Sequence, residues 1–494
     1  MLQIHIENLG KITEASLDLR PLTIFIGPNN TNKSWAAYSI YGVLESSASK
    51  VLAQEYLNSE TRFIQSPLRK GLLEIVNSFE KNFYVEIDII KLAREYLRVL
   101  LDDITQLFSQ ELVFLFFNVK EKELFKQFKI SIHLEDLMFN RCIENLQQKE
   151  FIHKHILGGI EEKKFLEITK KSGENSLIIS GEMLDDIPFK MVKFFIVYHL
   201  LEVLRSSLFT MSFIFPAERK ALILLEEKIL SDPLGELLSE KPEIMKELYH
   251  VLSSIFFKGK YTYQKSIKDF LTMMERIKKI ASGKVHSEIN EKFNRKIILK
   301  LLKTVVEGDI NYENLEELGI RLKFKPIDTE VSLPIHVTSS MVKSLVPFYG
   351  YFKYLASGND FLVIDEPEMN LHPKAQVMLL ELFNTFINLS FSCNSIGNYL
   401  LLTTHTPYLL EHLVNLLHKD RQIKEELSKE FFLKEKNIFL TPEDVAIYLF
   451  EPSGNVIDVF DRENIEIDWS TFSDVAGKIS EISFKLEEVQ EYDN

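Results

Sequence analysis

The spacing of apolar and polar residues divides the chain into elements. Residues 2–8 (LQIHIEN) alternate, the period of a strand with one buried face. Asn8-Leu9-Gly10 is a turn signal, and Ala15–Leu19 and Leu22–Ile26 predict two more strands on either side of Arg20-Pro21. From about residue 46 to 160 the pattern is dense in Leu, Ile, Phe, Lys and Glu and sparse in Gly and Pro. It predicts several amphipathic helices, without the sustained heptad of a coiled coil. Lys163–Ser180 predicts a hairpin, FLEIT and SLIIS joined through Lys170–Asn175. A helix over Phe189–Leu208 and a short strand over Ser212–Phe215 follow, then a second helical block from about 220 to 306. Strand-like segments return at Ile320–Phe324 and Val331–His336, and a helix is expected over Lys374–Leu389. Tyr399–Thr403 predicts a buried strand, Val445–Phe450 and Val456–Phe460 a hairpin, and the last residues an acidic helix.

Two of these runs do not alternate. Phe361–Ile364 (FLVI) is apolar throughout, the pattern of a strand covered on both faces in a parallel sheet, and Asp365-Glu366 ends it. Two charges beside such a run are costly unless they meet a cation or a ligand. The carboxyl end of a strand is where open α/β sheets bind ligands. There one carboxylate can hold a metal and its neighbour, pointing the other way, can orient a water. The plain alternative is a surface strand end that carries two acids. The second run, Leu22–Ile26, leads into Gly27-Pro28-Asn29-Asn30-Thr31-Asn32-Lys33-Ser34, with a helix expected from Trp35 to about Glu45. Strand, loop and helix are the context of the phosphate-binding pattern G-x-x-x-x-G-K-[ST]. Backbone amides across Gly27, Asn29, Asn30, Thr31, Asn32 and Trp35 would cradle phosphates, Lys33 would reach the β and γ phosphates, and the Ser34 hydroxyl would ligate Mg²⁺. ATP and Mg²⁺ are the expected ligands. Asn32 stands where the pattern has Gly. Asn is among the residues most tolerant of a left-handed backbone, so the loop is read as functional, with nucleotide affinity the property this departure touches.

Composition narrows the partners. The chain has 494 residues, 46% hydrophobic and 26% charged, enough for a large core and more than one lobe. A formal charge of −14 argues against non-specific DNA binding by the whole surface and leaves a local basic face open. The Lys- and Glu-rich second block, including Lys278-Lys279 and Lys284–Lys296, reads as a solvated helix face or as a nucleic-acid or partner contact. Two cysteines, Cys142 and Cys393, lack metal-ligand spacing; with no signal segment and no long apolar run, a reduced cytoplasmic protein with no membrane contact is expected.

The order of strand, P-loop, helical insert, Ser-rich segment, DE-ended strand and His-ended strand resembles the ABC-type ATPases of the SMC and RecF group. It is most similar to the defence-associated ATPases of the overcoming-lysogenization-defect (OLD) type and to their relatives in Septu, PARIS and Gabija systems. The resemblance covers about residues 1–45, 210–220 and 310–415. It implies an α/β fold: an ABC-type P-loop head with a mixed β-sheet and large α-helical insertions. The head would comprise residues 1–45, 161–219 and 307–494, and the insertions 46–160 and 220–306. It also implies roles. Asp365 matches the acid that holds Mg²⁺, Glu366 the carboxylate that positions the attacking water, and His405 in TTHTP the switch histidine at the γ-phosphate. Lys33 joins these as a catalytic cation. Asn370-Leu371-His372 occupies the loop that crosses a dimer interface. Val337–Ser344 (VTSSMVKS) stands at the place of the LSGGQ signature, so Ser339 and Ser340, with His372, would meet the nucleotide held by a second subunit; read alone, TSSMVKS is a capped helix start. Pro216-Ala217-Glu218-Arg219 resembles a recurring PAER segment of these ATPases, its role open, with a buried Glu–Arg pair as the simple reading.

OLD-type nucleases carry a TOPRIM domain after the ATPase. Here 89 residues follow His405, without an acid-rich set of strand ends. The expectation is an ATPase without its own nuclease, a homodimer or higher even-numbered oligomer, that senses or scaffolds for a separately encoded effector of an anti-phage system. A RecF- or SMC-like DNA-repair ATPase and a nucleotide-binding scaffold with little hydrolysis are the other readings, with DNA a candidate partner.

Overall fold

A computed structural model describes residues 1–156, 165–182, 187–224, 264–285, 295–315, 319–391, 396–418 and 425–468. The expected acidic C-terminal helix and most of the Lys284–Lys296 segment lie outside these residues. β1 (Leu2–Leu9) and β2 (Ile12–Leu19) pair antiparallel around the Asn8–Gly10 turn. β3 (Leu22–Ile26) follows and leads through the P-loop into the helix Lys33–Leu44. Next come β4 (Tyr84–Asp88), β5 (Lys129–Leu134), β6 (Phe151–Ile156), β7 (Phe165–Lys170), β8 (Ser176–Glu182) and β9 (Met211–Phe215). β10 (Gly308–Leu315), β11 (Gly319–Pro326), β12 (Leu333–Pro334), β13 (Asp360–Asp365), β14 (Tyr399–Thr403), β15 (Val445–Phe450) and β16 (Val456–Asp458) follow later in the chain.

One sheet decides where chemistry can occur. Its order is β16-β15-β3-β14-β13-β9, with every neighbouring pair from β15 to β9 parallel and β16 antiparallel at the edge. This is the mixed sheet of the expected α/β class. The order sets four carboxyl ends side by side: the P-loop after β3, His405 after β14, Asp365-Glu366 after β13 and Pro216–Arg219 after β9.

The sheet's parallel strands are mainly apolar because both faces are covered, with Thr23 in β3, Ser212 in β9 and Asp360 at the start of β13 among the exceptions. Along β13, Phe361 and Val363 enter one core while Leu362 and Ile364 enter the other. Leu401 and Leu402 on β14, and Phe25 and Ile26 on β3, divide in the same way. The first core takes in β1, β2, the helix Lys33–Leu44, and the helices Ser47–Leu57, Pro67–Asn82, Ile89–Leu107 and Phe189–Arg205. The second takes in the helices Lys265–Ala281, Arg295–Val306, Ser340–Tyr354, Pro373–Phe391 and Pro407–Asn415.

The region 46–160 differs from the purely helical block expected. Besides its helices it holds β4, β5 and β6. β5 pairs with β1 and completes the three-stranded sheet β2-β1-β5, while β4 and β6 flank the β7–β8 hairpin in the order β4-β8-β7-β6. So the first insertion and the hairpin expected in the head share one sheet. The second block includes the amphipathic helices Lys265–Ala281 and Arg295–Val306, and β10 pairs with β11 from Gly308↔Pro326 to Leu315↔Gly319. Val331–His336 contains only the two-residue β12 and a short 3₁₀ turn. Among the described residues no helix is long and apolar enough to cross a membrane.

Candidate functional site

The loop after β3 is a run of permissive backbone. Gly27 has φ 133°, and a Cβ there would meet the Phe450 carbonyl oxygen at 2.3 Å, so glycine is required by the neighbouring β15 as well as by the dihedral. Asn30 (φ 63°) and Asn32 (φ 66°) are both left-handed, and Asn32 is the residue before the first turn of the helix Lys33–Leu44. The Asn32 Oδ1 accepts a 2.8 Å bond from the Lys11 backbone N–H, and its amide lies against Gly10. The position expected to be a compromise thus also ties the loop to the β1–β2 turn. Asn29 and Asn30 are exposed.

Lys33 is buried within this loop. Its Nζ donates to the carbonyls of Gly27 (2.9 Å) and Pro28 (2.7 Å) and lies 3.4 Å from Thr31 Oγ1, which itself donates to Pro28. Burial lowers its pKa to about 8, against the pull of Asp365, Glu366 and Glu368 in the other direction. A buried ammonium beside the backbone amides of this loop and a helix N-terminus is suited to an anion.

Asp365 is almost fully buried, and three hydroxyls from two elements, the helix Lys33–Leu44 and β14, hold it. Ser34 Oγ donates to Oδ1 at 2.9 Å, Tyr38 OH to Oδ2 at 2.8 Å, and Thr403 Oγ1 also donates to Oδ1. Burial, and then Asp365 itself, raises the Tyr38 hydroxyl far above the usual range and keeps it a donor. Glu366 follows with φ 46°, its N–H shared between the Thr403 carbonyl (3.1 Å) and Thr403 Oγ1 (3.2 Å). Its side chain is one-third exposed, and Oε1 stands 3.6 Å from His405 Nε2. Burial and the neighbouring Asp365 and Glu368 raise its carboxyl pKa. Burial and the charge of Lys33 lower that of His405 and favour a neutral ring.

Lys33, Ser34, Asp365, Glu366 and His405 are therefore brought to one place. None of these contacts involves Ser339, Ser340 or His372. Ser339 caps the helix Ser340–Tyr354, accepting from Val342 N–H at 3.2 Å, so the capped-start reading of TSSMVKS describes the local structure; Ser339 and Ser340 are exposed at that N-terminus. His372 is exposed too, and its Nδ1 accepts from Lys374 N–H at 3.3 Å. The Trp35 ring packs between Phe117 and Phe125, 5.5 Å from each, so its side chain belongs to the core and only its backbone faces the phosphate role expected of it.

Four residues were not foreseen as parts of the site. Tyr38 lies one turn beyond Ser34, and Thr403 is the last residue of β14; helix period and strand end were signals enough for both. Glu368 belongs to the same DEPE run, and its Oε1 accepts from Thr404 Oγ1 (2.7 Å) and His405 N–H (2.9 Å), fixing the backbone of His405 to the turn after β13. Arg219 is fully buried. The simple Glu–Arg pair is not what forms: Glu218 is exposed, and the guanidinium donates to the carbonyls of Pro216, Asp365, Glu366 and Pro367. Burial lowers its pKa to about 10, still well above neutral pH.

No curated protein matches the chain. Similar solved structures include the Smc head bound to the C-winged helix domain of ScpA, at 11% identity over 83% of this chain and 91% of that one, with a TM-score of 0.32. Another is the Smc head domain with an extended coiled coil bound to the C-terminal domain of ScpA, derived from Pyrococcus furiosus, at 12% identity over 98% and 100%, with a TM-score of 0.33. The family model described as the AAA ATPase domain matches residues 1–410, from β1 through the P-loop and the Asp365 strand to beyond His405, and the chain belongs to that ATPase family.

Proposed function

We propose that the chain binds ATP on the Gly27–Trp35 loop and hydrolyses it, with Glu366 orienting the attacking water. The observation that carries this reading is the convergence of Lys33, Ser34, Asp365, Glu366 and His405 at adjoining strand ends. Ser34 and Asp365 offer oxygen donors in mutual contact, held from behind by Tyr38 and Thr403. This donor set fits Mg²⁺, which takes one or two protein oxygens and leaves the rest of its shell to phosphate and water. Bound there, Mg²⁺ would offset phosphate charge. Lys33 and the loop amides bind and orient the phosphates. Glu366, ionised, accepts a hydrogen bond from water, and His405, neutral, holds a donor or acceptor 3.6 Å from it.

The finer reading is a composite site. Ser339, Ser340 and His372 are exposed, and a hydroxyl at a helix N-terminus favours an anion. In a homodimer or higher even-numbered assembly they would meet the nucleotide of the other copy. The DEPEMNLHP and PAER segments support placement among OLD-like defence ATPases, as the sensor or scaffold subunit of a prokaryotic anti-phage system acting through a separately encoded effector. Mixing Ser340→Arg with Lys33→Ala subunits tests the composite site: each heterodimer keeps one intact site, so activity should return, and no recovery in proven heterodimers would contradict it. Incubating the purified chain with Mg²⁺ or Mn²⁺, ATP and plasmid DNA tests the separate effector. DNA should stay intact, and cleavage that persists through repeated purification would contradict it.

A further inference from the structure

The ATP chemistry leaves the PAER segment, and the lysine after it, without a task. Arg219 lies just beyond β9, the neighbour of β13. Its guanidinium reaches three consecutive carbonyls of the turn that carries the carboxylates: Asp365 at 2.7 Å, Glu366 at 2.8 Å and Pro367 at 3.3 Å. Glu366 sits in that turn at φ 46°. A non-glycine residue there is strained and persists only where its surroundings over-determine it. A planar fork on successive carbonyls is such a surrounding; a lysine ammonium, a point donor, could not reproduce it.

The next side chain goes elsewhere. Lys220 Nζ donates to Ser340 Oγ at 3.1 Å and to Asn370 Oδ1 at 3.2 Å. Asn370 is itself left-handed (φ 65°), and its Nδ2 donates to Ser344 Oγ at 3.4 Å, one turn along the helix Ser340–Tyr354. Two consecutive cations therefore grip two different parts. One grips the Asp365–Pro367 turn; the other grips the junction of the Ser340 helix with the Asn370 loop.

We infer that Arg219 and Lys220 are positioning residues that couple the Ser340–Asn370 junction to the carboxylate turn, so that a shift of that junction reaches Glu366 through one peptide unit. The inference rests on the ATPase reading. In a composite site it would make each Glu366 responsive to whether the serine of the same chain is engaged by the other copy's nucleotide.

The test is a double-variant cycle on the purified full chain, read as kcat and KM for ATP with Mg²⁺. Lys220→Met keeps the apolar stem and removes the ammonium from a half-buried position. Its kcat should fall about tenfold while KM stays within about threefold. Ser340→Ala removes the acceptor at the other end. The double variant should lose no more than the worse single variant, since both break one link. Additive losses, or a wild-type kcat in Lys220→Met, would overturn the coupling. Arg219→Lys keeps the charge and removes the fork; its kcat should fall about a hundredfold, and an unchanged kcat would overturn the role of Arg219. If circular dichroism shows that this variant does not fold, the Lys220–Ser340 cycle decides alone. Glu366→Gln measured alongside separates the two levels. A wild-type chain without turnover removes the ATPase reading itself and full turnover in Glu366→Gln removes the role of Glu366, whereas an active wild type and an inactive Glu366→Gln with an additive cycle remove only the coupling.

Discussion

Replacing Asn32 by Gly and by Ala separates the two things this residue does. Its backbone is left-handed (φ 66°, ψ 22°), and its Oδ1 accepts from the Lys11 N–H at 2.8 Å. Both variants lose that bond, which in an exposed turn is worth about 1 kcal/mol, because water replaces the partner. Gly adopts the dihedrals without strain but gains unfolded-state entropy, at a cost of about 0.5–1 kcal/mol. Release of the residual strain on Asn offsets part of that. Ala must enter the left-handed region with a Cβ, which costs about 1 kcal/mol more than Asn or Gly. The expected losses are therefore about 1 kcal/mol for Asn32→Gly and about 2 kcal/mol for Asn32→Ala, read from urea unfolding at a common m-value. Titration with a fluorescent ATP analogue should follow the same order. Asn32→Gly should stay within about threefold of wild type, because the loop amides keep their aim, and Asn32→Ala should weaken by about tenfold. If Ala is tolerated as well as Gly in both assays, the left-handed requirement at this position is wrong.

Three further outcomes follow from the same geometry. The pH profile of kcat/KM reports the free protein: Glu366 must be ionised and its carboxyl is raised by burial, while Lys33 must be charged and is lowered to about 8. Activity should therefore rise through a pH above the ordinary Glu range and fall again near 8; a plateau to about pH 10 would contradict the assigned Lys33. Gly27→Ala would drive a Cβ to 2.3 Å from the Phe450 carbonyl at φ 133°, so a loss of about 2 kcal/mol or more and of ATP binding is expected in unfolding and titration experiments. Glu381 is fully buried and accepts from His412 Nε2, Phe432 N–H and Leu433 N–H; Glu381→Ala leaves those donors unpaired and should cost about 3 kcal/mol by urea unfolding, without a change in kcat of the folded fraction.

The parts that could be read from the sequence are those where local pattern and burial agree. β3, β13 and β14 are five- or six-residue strands buried along their whole length, so each is a mainly apolar run, broken by Thr23 in β3 and opened by Asp360 in β13, with candidate site residues at or just past its end. β5 alternates strictly, KISIHL, yet lies in a block of helix formers whose overall composition dominated the reading; its pairing with β1, more than a hundred residues away, is fixed by the tertiary fold. Arg219 was opaque for another reason. Sequence offers a neighbouring Glu218 as its partner, whereas the actual partners are backbone carbonyls some 146 to 148 residues distant, which no side-chain pattern encodes. For Trp35, position in a loop motif says where the backbone lies, while Phe117 and Phe125, brought from the inserted region, decide where the ring goes.

The central claim is that Glu366 orients the water in an ATP site built on Lys33, Ser34 and Asp365. Glu366→Gln keeps the shape of the side chain and removes the charge that accepts the water's proton. Single-site phosphate release with Mg²⁺ and saturating ATP, measured with ATP binding on the same samples, tests it most directly. Turnover should fall by about a hundredfold or more while ATP affinity stays within about threefold of wild type. Wild-type turnover in Glu366→Gln would contradict the assignment of the carboxylate after β13 and, with it, the account of the site.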